Sequence, residues 1–94
     1  MHYELVFKKP AKKEWDALDA TIRKQFKKKL IERIKQPKIE SARLNGMTDC
    51  YKIKLRGAGY RLVYQVRDND LIISVIAVGK RERNHVYKAA IKRI

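Results

Sequence analysis

Lys52, Lys54, Arg56 and Arg61 stand within ten residues of one another, and no acidic residue occurs from Cys50 to Arg67. Lys80, Arg81 and Arg83 form a second group, with Glu82 as its acid and Tyr87 four residues beyond. Uncompensated cations at this density suit a chain of phosphates. They also suit phosphodiester cleavage, where lysine and arginine stabilise the negative charge that develops on phosphorus. Arginine holds its proton too tightly to donate it, whereas a tuned lysine or tyrosine can exchange one.

Such cleavage needs either metal ions or a base, an acid and charge stabilisation. The ten acidic residues are scattered, and Asp68 and Asp70 sit in an Asp-Asn-Asp turn, which accounts for them without a metal. His2 and His85 are too few and too far apart in sequence to suggest a zinc site. No metal and no cofactor is therefore expected. The remaining route uses the substrate's own 2′-hydroxyl as nucleophile, which restricts the target to RNA and leaves a 2′,3′-cyclic phosphate. A non-catalytic RNA-binding module fits the same charge.

The whole chain carries this bias: 24 Lys and Arg against ten Asp and Glu give a formal charge of +14. Nucleic acid is the first partner this implies and an anionic membrane surface the second. The longest apolar run, Leu71–Val78, has eight residues interrupted by Ser74, far short of the roughly 20 that a membrane span needs. The N-terminus shows no apolar export segment, and the lone Cys50 cannot form an internal disulfide, so a reducing cytoplasm is expected. At 94 residues the chain reads as one domain, 1–94.

Positioning these groups falls to an α+β pattern of order β-α-α-β-β-β-α. Tyr3–Lys8 alternates as a strand, Pro10 opens a helix, and Ala11, Trp15 and Leu18 form its apolar stripe. Asp19 is placed to cap a second helix carrying Ile22, Phe26, Leu30 and Ile34, which Pro37 ends. This helical hairpin packs on an antiparallel-rich sheet of Tyr51–Arg56, Arg61–Val66 and the central strand Leu71–Val78. Gly57-Ala58-Gly59 turns the first pair. Parity requires a loop of two or four residues, or a bulge, because three would point Arg61 inward. Gly79–Arg83 reads as a polar connection. Asn84 then caps a short last helix with Val86, Tyr87, Ala90, Ile91 and Ile94 on its apolar stripe. By spacing alone Tyr87 is a core residue. Twelve basic and four acidic residues in 8–38 coat the helical hairpin, as a solvated face or a phosphate-tracking one.

The segments Cys50–Arg56, Gly59–Val66, Val78–Arg83, Val86-Tyr87 and Lys92–Ile94, with Lys13-Glu14-Trp15 and Lys27–Leu30, closely resemble the RelE family of RelBE toxin–antitoxin pairs. The resemblance runs over nearly the whole chain. It implies a ribosome-dependent endoribonuclease that cuts mRNA codons in the ribosomal A site, against 16S rRNA. Its partners would be a RelB-like antitoxin that covers the trough or displaces the last helix and, with that antitoxin, operator DNA. Position by position it implies that Lys52 and Lys54 line the mRNA and lower the pKa of the tyrosine, with Lys54 also a candidate for proton transfer. Arg61 and Arg81 would stabilise the transition-state phosphate, and Tyr87 would act as general base or stack on a base; Arg56, Lys80 and Arg83, read from the charge pattern, would complete the RNA-binding surface. The related ParE group, which poisons DNA gyrase, is the same-fold alternative. It is not expected to carry Lys52, Lys54, Arg61, Arg81 and Tyr87 together.

Overall fold

The computed structural model describes residues 3–94, so His2 lies outside the described residues. The chain runs β1 (Glu4–Phe7), α1 (Lys9–Asp16), α2 (Ala20–Lys35), β2 (Cys50–Leu55), β3 (Tyr60–Arg67), β4 (Ile72–Lys80) and α3 (His85–Arg93). The predicted order of elements holds. Pro10 lies in the first turn of α1, where its missing N–H is not needed. The Asp19 carboxylate accepts the Thr21 N–H at 3.2 Å and caps α2 as expected. Pro37 follows the end of α2, and its carbonyl accepts the Tyr64 hydroxyl at 2.6 Å.

The four strands lie in the order β1-β4-β3-β2, with β1 parallel to β4 and the other two pairs antiparallel. On one face, Ala11, Leu18, Phe26 and Leu30 of the helical hairpin pack against Tyr51, Ile53, Leu62, Tyr64, Ile73 and Val75. Burying a side chain such as Phe26 or Leu30 contributes about 1.5–3 kcal/mol. On the other face, α3 lays Val86 and Ala90 on Cys50, Val63, Ile76 and Ala77. This second core is small and leaves the β2–β3 end of the face uncovered.

Leu55 pairs with Tyr60, so the loop is the four residues from Arg56 to Gly59, and Lys54 lies directly across from Arg61. The parity expectation is met. β2 accordingly stops at Leu55, one residue before the predicted strand end, and Arg56 belongs to the turn. β4 departs further from its predicted bounds. It begins at Ile72 because Leu71 adopts φ 52°, and it continues through Gly79 and Lys80, which pair with Arg61 and Tyr60. The polar connection expected at Gly79–Arg83 is thus partly strand.

β4 also carries a bulge: Val63 pairs with Ala77 but Tyr64 pairs with Val75, leaving Ile76 as an extra residue. Ile76 and Ala77 both join the α3 core, and Val78 returns to the helical-hairpin core. Gly79 is thereby brought opposite Arg61, and the Arg81 N–H donates to the Gly59 carbonyl at 2.7 Å. The bulge sets which way the end of β4 faces.

Candidate active site

The β2–β3 ladder fixes the centre of the site. Lys54 and Arg61 are cross-strand partners on one face, and Lys52 lies two residues back on that face of β2. Arg81 comes alongside through its backbone bond to Gly59. Lys54, Arg56, Gly59, Tyr60, Arg61 and Arg81 together line a pocket of about 290 Å³. A second, larger hollow of about 660 Å³ shares Lys54 and Arg56 and continues to Gln25 and Lys29 on α2. Two strands, one loop and one helix thus border a continuous cationic cleft.

Tyr87 lies beside Arg61. Its ring is half-buried on α3, and the Arg61 Cζ lies 5.8 Å from the ring centroid, within reach of a cation–π contact. The structure thus joins Tyr87 to Arg61, which spacing alone did not foretell. Arg83 is exposed in the β4–α3 loop, where it and Asn84 take left-handed conformations at φ 45° and 59°. Asn84 occupies the cap position of α3, but its side chain makes no capping bond. Lys80 does not join the cleft. It follows Gly79, the partner of Arg61, so its side chain leaves the sheet on the face opposite Arg61, and it does not line the pocket that Tyr60 borders from the sheet end. Exposed His85 opens α3.

The electrostatics divide the two proton-exchanging candidates. The Lys54 pKa is lowered, first by Lys52, then by Arg61, loss of hydration, Arg56 and Arg81. The Tyr87 pKa is raised, because burial of the phenol outweighs the opposing pull of Arg61. The one cation that favours the phenolate here is Arg61, rather than Lys52 or Lys54, and burial outweighs it. Tyr87 is held as the neutral phenol, and Lys54 is the group moved toward neutrality. Cys50, buried beneath α3, has its thiol pushed up to about 11 and is no nucleophile at neutral pH. Among the described residues no three His, Cys, Asp or Glu side chains gather in a group that could hold a metal ion, and no helix is long and apolar enough to cross a membrane.

Lys29 and Tyr60 were not singled out from the sequence. Lys29 stood in a run of similar lysines, and Tyr60 stood next to the strand predicted from Arg61. Only the packing of α2 beside the hairpin distinguishes the first, and only the four-residue loop the second.

Residues 5–85 match the family model described as the ParE toxin of type II toxin–antitoxin systems. The chain is 57% identical over 94 residues to the mRNA interferase toxin RelE of Escherichia coli K12, covering 100% of this chain and 99% of that one. The mRNA interferase RelE of Shigella flexneri matches to the same extent. Among solved structures, E. coli RelE with two arginines replaced by alanine, in the free state, superposes with a TM-score of 0.93 at 55% identity, covering 100% of this chain and 99% of that one. The toxin of the intact E. coli RelBE toxin–antitoxin complex gives 0.83 at 57% identity, over 86% of this chain and 99% of that one.

Proposed function

The chain belongs to the RelE family of type II toxins, within the wider RelE/ParE group, and on that premise we propose that it is a ribosome-dependent mRNA interferase. One observation carries the proposal: Lys54, Arg61 and Arg81 line one cationic pocket, with Tyr87 beside Arg61, in a chain 57% identical to mRNA interferases. The mRNA backbone lies in this cleft in the ribosomal A site, with Lys52, Arg56 and Arg83 holding flanking phosphates. Lys54, its pKa lowered by its neighbours, takes the proton of the 2′-hydroxyl. The 2′-oxygen attacks phosphorus, and the bond to the 5′-oxygen breaks. Arg61 and Arg81 stabilise the charge on the phosphoryl oxygens. Tyr87, kept neutral by burial, returns a proton to the departing 5′-oxygen, and Arg61 offsets the charge left on the phenolate. The products are a 2′,3′-cyclic phosphate and a free 5′-hydroxyl, with no metal ion.

The ribosome supplies what the chain lacks, which is a hold on the mRNA bent for in-line attack. Exposed Lys24, Lys27, Lys28 and Lys29 of α2 face 16S rRNA phosphates in this reading. The partner in the cell is a cognate RelB-like antitoxin, and the pair binds operator DNA. The site of action is the cytoplasm.

The test is to express the chain in growing bacteria and map mRNA 5′ ends, beside Arg81→Ala and Tyr87→Phe. Codon-registered cuts that fall sharply in both variants, leaving a measurable remainder in Tyr87→Phe, are expected. Because the matching family model is described by ParE, gyrase supercoiling is assayed in parallel. Growth arrest with intact mRNA and inhibited gyrase would replace this reading with the ParE-like one, and arrest with neither would leave a ribosome-binding module.

A further inference from the structure

Two of the family-like segments, Lys13-Glu14-Trp15 and Lys92–Ile94, have no part in the cleavage chemistry, yet the fold clamps them together. The Glu14 carboxylate of α1 accepts a two-pronged bond from Arg93 of α3, 2.7 Å at Oε1 and 3.1 Å at Oε2. The same Oε1 accepts the Val78 N–H at 3.2 Å, and Arg93 also donates to the Ile76 carbonyl at 2.9 Å. The Lys8 ammonium in turn reaches the Arg93 carbonyl at 2.6 Å, holding the last turn of α3.

The end of β1 leaves room for this arrangement. β1 ends at Phe7, opposite Val75, so among the described residues β4 from Ile76 onward has no strand on that side. The Ile76 carbonyl and Val78 N–H meet the ion pair there instead of a ladder. The side chains of Arg93 and Glu14 are only 22% and 28% exposed, against 54% and 58% for the surface pair Lys12–Asp16. A forked, half-buried arginine–carboxylate pair holds geometry far better than an exposed one. The apolar grip of α3 is slight by comparison. It buries Val86 and Ala90, while Ile91 and Ile94 are exposed. Val86, Ala90 and Arg93 follow one another at i, i+4 and i+7, so the ion pair prolongs the docking stripe of the helix that carries Tyr87.

We propose that Glu14 and Arg93 are positioning residues for Tyr87: their pair at the β4 bulge fixes α3 so that the phenol stays against Arg61. This rests on the reading of Tyr87 as a catalytic group. Full-length Arg93→Met, which keeps bulk but loses the fork, and Glu14→Gln, which keeps an acceptor for Val78, are compared with wild type. Amide hydrogen exchange and cleavage on mRNA-programmed ribosomes are both measured. Exchange over residues 85–93 should accelerate in each variant, with β2 and β3 still protected. The kcat should fall about tenfold or more, with KM for the ribosome within about twofold. In a Tyr87→Phe background Arg93→Met should cost nothing further, since the group it positions is gone. Unchanged exchange in α3, or an undiminished penalty in the Tyr87→Phe background, would overturn the positioning role while leaving the catalytic reading of Tyr87 in place. Wild-type cleavage by Tyr87→Phe alone would instead bring down the catalytic reading, and the positioning role with it.

Discussion

Arg61→Gln should split activity from stability, and salt should decide the sign of the stability change. Arg61 makes two contacts that pull in opposite directions. It lies 5.8 Å from the Tyr87 ring centroid, a stacking contact that contributes about 0.5–1 kcal/mol at a partly exposed site. It also sits directly opposite Lys54, and like charges in that position destabilise a sheet. At about 10 mM salt the screening length is about 30 Å, so the whole cluster of Lys52, Lys54, Arg56 and Arg81 repels Arg61. At about 1 M salt it shrinks to about 3 Å, and the repulsion is largely gone. The lost stack remains at both. In thermal unfolding followed by circular dichroism, Arg61→Gln should therefore melt above wild type at low salt. At high salt it should melt about 2–8 °C below. Cleavage on programmed ribosomes should fall about 100- to 1000-fold, the loss expected when one donor to a charged transition state is removed, or roughly 3–4 kcal/mol. Melting below wild type by the same margin at both salts would show that the cluster places no electrostatic burden on the fold. Cleavage within about threefold of wild type would remove Arg61 from the phosphate site.

Tyr64→Phe deletes a buried hydroxyl that donates to the Pro37 carbonyl at 2.6 Å and accepts from Arg33 at 2.7 Å. A loss of about 2–4 kcal/mol is expected in the urea unfolding free energy, with the native m-value kept. Lys52→Gln removes the largest influence lowering the Lys54 pKa, so the rising limb of the pH–rate profile should move to higher pH. A limb that stays in place would mean Lys54 is not the titrating group. Lys54 also sets a sign for stability: its folded pKa lies below 10.5, so the unfolded chain holds more protons over that interval and this group makes stability rise with pH there. Leu71→Asn should stabilise the fold by up to about 1 kcal/mol in the same urea assay, because Leu71 is held at φ 52°, where asparagine is far less strained.

Local pattern was enough for the element order, the Asp19 cap and the parity of the hairpin loop, though not its length of four, because each depends on neighbours in sequence. The cationic face of β2 and β3 was legible for the same reason: alternation places Lys52, Lys54 and Arg61 together once the loop parity is known. The bulge was not. Both faces of Leu71–Val78 are apolar, so an extra residue at Ile76 leaves no mark in the alternation, and with it went the facing of Lys80. The Glu14–Arg93 pair joins residues far apart in sequence and looks, in the chain alone, like two more surface charges. Tyr87 shows the limit most sharply. Its place beside cations followed from the family resemblance, but the direction of its pKa depends on how much of the phenol α3 buries. Charge can be counted in a sequence and desolvation cannot.

The parallel pairing of β1 with β4 sets a timetable for synthesis. Glu4 is made well before its partner Ile72, so β1 waits without a sheet while the helical hairpin and the β2–β3 pair emerge. Lys52, Lys54 and Arg61 are then already present, but Arg81 and Tyr87 follow β4 and reach their places only after the sheet has closed. The cleavage apparatus proposed here thus comes together only once β4 and α3 have joined β2 and β3. Until β4 and the start of α3 have been made, the proposed cleft lacks both Arg81 and Tyr87, and the chain holds no complete apparatus for cutting RNA.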